Sequence, residues 1–89
     1  MDRYELAERY VAAHRDKNFN NWRSNNSKIC WDIVAEVAVW NSADTASFCC
    51  IVASLYDNIQ DAHFCLTVLA NRLRWEIDTK KAAKWTEAT

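Results

Sequence analysis

Neither glycine nor proline occurs anywhere in the 89 residues. Phosphate-cradling loops, the dinucleotide fingerprint, the nucleophile elbow and the EF-hand loop all need glycine where the backbone turns sharply or meets a ligand closely. None of them can be built here, and tight two-residue hairpins are disfavoured for the same reason. Only Asn, Asp and Ser remain to interrupt a helix, while 51% of the residues are hydrophobic, too many for a disordered chain. The chain is therefore expected to be all-α, a single domain over 1–89 built as a compact bundle of about four helices with short connections.

The breaks place the helices. Asp2 followed by Glu5 has the spacing of a capping box, so a first helix is expected over 2–17, with Leu6, Tyr10, Val11, Ala13 and His14 on one face. The stretch 18–27 reads NFNNWRSNNS and is expected to be an Asn-rich loop ending in an N-cap at Ser27. A second helix follows over 28–40, where Ile29, Ile33, Val37 and Trp40 form one stripe and Cys30 and Val34 widen it. Trp31, Ala35, Ala38 and Val39 fall mostly on its far side, leaving it apolar nearly all round, as befits a central or double-faced helix. With Ser42 as cap, a third helix is expected over 43–58 with Phe48, Val52 and Leu55 inward. Small residues such as Ala46, Cys50 and Ser54 on its other face would let a further helix approach. The fourth is expected over 61–85, its core stripe Leu66, Leu69, Leu73 and Ile77, with a frayed tail over 86–89.

Phe64, Val68, Asn71 and Trp75 form a second stripe on that last helix, nearly opposite the first. A four-helix bundle needs one apolar stripe per helix, and a domain this small buries only about 60–65% of the surface its unfolded chain exposes. The surplus is expected to show at the surface, where an apolar patch of more than a few hundred Å² marks a contact site. Charge is divided as well. Between Ile29 and Asn71 there are five acids (Asp32, Glu36, Asp44, Asp57, Asp61) and no Lys or Arg, whereas each end carries a net +2 within a total of -1. Two copies set end against middle would present complementary fields.

Candidate chemistry is thin. Cys30, Cys49, Cys50, Cys65 and His63 lack the C-x₂₋₄-C spacing by which one local turn offers two ligands to zinc, so no metal or other cofactor is expected. The cysteines are read as free thiols acting as small hydrophobes. His14, His63 and the Asp32–Glu36 pair form no nucleophile–base set, and no enzymatic activity is expected. The longest uncharged run, 45–56, is 12 residues, short of the roughly 18–20 that span a bilayer. With no apolar signal segment after the charged N-terminus, the chain is read as cytoplasmic and without a membrane partner.

A non-enzymatic protein–protein interaction module is the function that remains, self-associating as a dimer and acting as a small inhibitor or adaptor on a larger complex. Trp, Tyr and Arg dominate interface hot spots, which singles out Phe19, Trp22, Arg23, Trp31, Asp32, Glu36 and Trp75 for partner contact, and Phe64, Val68, Asn71 and Trp75 for self-association. In general character the chain resembles the small proteins that phages and mobile elements use against host machinery, anti-CRISPRs among them. That resemblance rests on size, helicity and surplus apolar surface, not on a motif. The alternative is a nucleic-acid-binding module, using the aromatic and basic residues of 18–28 together with Arg72, Arg74, Lys80, Lys81 and Lys84.

Overall fold

The computed structural model describes residues 2–15 and 24–88, with side chains as far as 81. Among them every regular element is an α-helix: α1 (Arg3–Arg15), α2 (Asn25–Val37), α3 (Ser42–Ser54) and α4 (Ile59–Ala88). The fold is an all-α bundle.

Each helix begins on a short polar side chain that satisfies otherwise orphaned N–H groups. Asp2 Oδ1 accepts from the Glu5 N–H at 2.8 Å, the cap expected from the Asp2–Glu5 spacing. Ser24, not Ser27, caps α2: its hydroxyl oxygen accepts from the Ser27 N–H at 3.0 Å, and Ser27 itself is buried one turn inside. The helix thus starts three residues earlier than expected and ends three earlier, at Val37. Asn41, not Ser42, caps α3, accepting from the Asp44 N–H at 2.8 Å while its amide donates to the Asp44 carboxylate at 3.1 Å. Asn41→Ala removes both bonds. It is expected to lower stability by about 1 kcal/mol, read as a fall in the urea midpoint at unchanged slope. Asn58 accepts from the Gln60 N–H at 2.7 Å and starts α4 two residues early; α3 has ended by Ser54, and α4 stays helical to Ala88, through most of the expected frayed tail.

The helices pack in a ring: α1 lies against α2 and α3, and α4 closes the other side against the same two. Neither α2 nor α3 is central. The core is Leu6, Ala7, Tyr10, Val11 and Ala13 from α1, Cys30, Ile33, Val34 and Val37 from α2, Phe48 and Val52 from α3, and Cys65 and Leu69 from α4. Leu55, Leu66 and Leu73, expected in the core, are half-buried around it.

Ile77 is a correction: it is 38% exposed. Its periodicity is right, but it stands over an open hollow where α2 ends and α3 begins, lined by Val37, Trp40, Thr45, Ala46 and Leu73, so its neighbours cover it only in part. The small face of α3 is a second correction. Ala46, Cys50 and Ser54 are exposed, so none of the described helices packs there.

Candidate contact surface

α4 turns Val68, Asn71, Arg72 and Trp75 to one side, at the i, i+3, i+4, i+7 spacing that stacks side chains along one helix face. α2 sets Trp31 beside them. The two indoles meet edge to face, 5.3 Å between centroids and 69° between planes. These five residues line an open hollow of about 330 Å³. Trp31 is half-buried against the core, whereas Trp75 stays 58% exposed. Along the sequence Trp31 and the Phe64–Trp75 stripe stand as separate surfaces; folding joins Trp31 and Trp75 into one.

Arg72 is the member that sequence reasoning places elsewhere, among the cations of a basic C-terminal end. Its guanidinium reaches across the ring to α1 and donates to the Tyr10 hydroxyl at 3.0 Å. Its carbon lies 5.7 Å from the centroid of the Trp31 ring, within cation–π range. The side chain is half-buried, and no described carboxylate pairs with it. The one signal in the sequence is register: Arg72 lies four residues after Val68 and three before Trp75, on the same helix face, whereas Arg74 falls off it.

Its charge is felt inward. Burial pushes the Tyr10 hydroxyl and the Cys30 and Cys65 thiols above their ordinary pKa values, and Arg72 opposes the rise at each. Burial dominates, so Tyr10 and both thiols stay neutral. All four cysteines are free. His14, buried in a stack on Tyr10 with 6.1 Å between centroids, moves the other way: burial, then Arg72, holds its pKa below the ordinary 6.5.

The sign of that last effect gives a prediction. As pH falls below about 6.5, His14 is protonated in the unfolded chain while in the native one it resists, so native stability drops until its lower native pKa is passed. His14→Gln is expected to flatten this part of the stability–pH curve, measured by urea denaturation between pH 7.5 and 5. An unchanged slope contradicts the assignment.

The remaining expected site residues are spread out. Phe64 is 54% exposed but leans on His14, with ring centroids 5.8 Å apart, and belongs to a separate hollow of about 540 Å³ lined also by Arg15, Tyr56, Asp57, Asn58 and Asp61. It is therefore not part of the Trp75 hollow, and the expected self-association stripe divides in two. Asp32 and Glu36 are exposed and line a cleft with Arg9, Leu6, Ile29 and Ile33, against α1. Phe19, Trp22 and Arg23 lie outside the described residues. On α4, Arg74 and Lys80 sit 4.0 and 3.8 Å from Asp78 and Glu76. Among the described residues no cluster of three or more His, Cys, Asp or Glu is placed to hold a metal ion, and no helix is long and apolar enough to cross a membrane.

No family model matches the chain, and neither a curated protein nor a solved structure matches it.

Proposed function

We propose that the chain is a protein–protein interaction module whose contact surface is the Trp31–Arg72–Trp75 hollow. It acts without chemistry of its own, as a small inhibitor or adaptor docking on a larger complex. The observation that carries this reading is Trp75. A tryptophan 58% exposed, edge-on to a second one and beside an arginine, combines the two residue types that most often anchor interfaces. The test is site-directed cross-linking in the source cells, with a photo-reactive phenylalanine analogue replacing Trp75 in one variant and Ile59, 85% exposed at the start of α4, in the other. A discrete protein adduct at position 75 and none at position 59 is expected. Equal yields at both positions overturn the reading.

Self-association is the second reading. It is favoured by the exposure of both Phe64 and Trp75 along α4. Light scattering over a dilution series decides it: a dimer in the wild type that Trp75→Glu splits supports it, and a monomer throughout rejects it. Nucleic-acid binding has less behind it, since Arg74 and Lys80 are each already beside an acid.

A further inference from the structure

The Trp31–Arg72–Trp75 hollow contains a cation with no carboxylate beside it among the described residues. Arg72 is half-buried, and one of its guanidinium N–H groups goes to the neutral Tyr10 hydroxyl. A guanidinium carries five N–H donors and keeps its charge at any ordinary pH. Its other neighbours are the Cys30 thiol, kept neutral by burial, and the face of Trp31, and no carboxylate lines the hollow or pairs with Arg72 among the described residues. To the extent that a charge is withdrawn from water, it is costly unless an anion or hydrogen-bond acceptors complete it. Around this one the walls are apolar or amide: Trp31, Val68, Trp75 and Asn71.

We infer that this hollow receives a segment of a partner protein in which an Asp or Glu adjoins a large apolar side chain. The carboxylate meets the Arg72 guanidinium, and the apolar side chain covers the Trp31 and Trp75 rings and Val68. The inference rests on the interaction-module reading and names the chemistry of its partner. A carboxylate on a guanidinium forms a charge-assisted, often bidentate pair, stronger than a neutral hydrogen bond. Here it would be sheltered from water by the indoles, which lowers the effective dielectric around it.

Charge separates this occupant from the others. A second copy docked by a two-fold axis through the same hollow would bring guanidinium toward guanidinium, since an isologous contact pairs a patch with itself and this patch supplies no acid. A nucleic-acid strand needs a row of cations to follow successive phosphates, and among the described residues Arg72 is the only one lining the hollow.

The test pans a random dodecapeptide library displayed on phage against the full-length chain and, in parallel, against Trp75→Ala. Peptides recovered on the wild type alone are expected to carry Asp or Glu next to Trp, Phe or Leu. The strongest binder and its twin with the acid changed to the amide are then titrated by fluorescence anisotropy. The twin is expected to bind about tenfold or more weakly, and the difference is expected to vanish on Arg72→Gln. Should Arg72→Gln fail to fold by circular dichroism, the comparison of twins on the wild type decides. Trp75-dependent peptides without an acid, or twins of equal affinity, overturn this inference and leave the contact surface standing. A library yielding no Trp75-dependent peptide overturns both. Trp75-dependent binding of a fluorescein-labelled single-stranded DNA 20-mer, or a dimer abolished by Trp75→Ala, overturns the choice of occupant.

Discussion

Phe48→Ala is expected to destabilise the fold by about 3–5 kcal/mol, the range for truncating a buried phenylalanine. Phe48 is fully buried, the α3 anchor of the ring of helices. It meets Tyr10 at 6.3 Å and 73° and Trp40 at 5.8 Å and 88°, so one ring ties α3 to α1 and to the turn that follows α2. Each edge-to-face pair is worth about 0.5–1.5 kcal/mol beyond its buried area. A domain's net stability is only about 5–15 kcal/mol, so the variant loses a large part of it. Urea denaturation followed by tryptophan fluorescence measures this. A loss below about 1.5 kcal/mol would mean that Phe48 is not the anchor described.

Trp75→Glu is expected to do the reverse, with a large loss of partner binding and little loss of fold. Hot-spot truncations cost about 2 kcal/mol or more, roughly 30-fold in affinity. This substitution removes the indole and also sets a carboxylate one turn from Arg72, where it occupies the guanidinium that a partner would use. The fold gives up chiefly the edge contact with Trp31, about 0.5–1.5 kcal/mol. Titrating a wild-type-selected peptide against both proteins, beside their urea curves, separates the two effects. Affinity and stability falling together would make Trp75 a structural residue.

Much of this was legible before folding is considered. The lack of glycine and proline, together with the apolar spacings, implied four helices, and Asp2 sat where a cap belongs. Leu6, Tyr10, Ile33, Val37, Phe48, Val52 and Leu69 were readable as core and are buried. The exact starts were harder, because the run of Asn and Ser before α2 offers several equivalent caps. The choice between Ser24 and Ser27 depends on tertiary burial: Ser27 is drawn inside.

Ile77 failed for a different reason. Periodicity reports which side of a helix is apolar, but not where its neighbours stop. Cys65 shows the same limit. It lies at the centre of the α4 core face, though the leucines around it are the stronger apolar signal.

The contact surface was half legible. Trp31 and Trp75 stood out by type, yet only the packing of α2 against α4 unites them. That same ring sends Phe64 to His14 and gives Arg72 its partner on α1. Pairings between helices far apart in sequence leave no periodic trace, so Arg72 read as one cation among several.

The most direct measurement records the indole Nε–H resonances of Trp31 and Trp75 and the Nε–H of Arg72 in the ¹⁵N-labelled full-length chain, while a wild-type-selected peptide is titrated in. If the hollow is the contact surface, these three signals move first and furthest, saturating together at the same peptide concentration. Shifts centred instead on the backbone N–H signals of His14 and Phe64, with the two indoles and Arg72 unmoved, would contradict it.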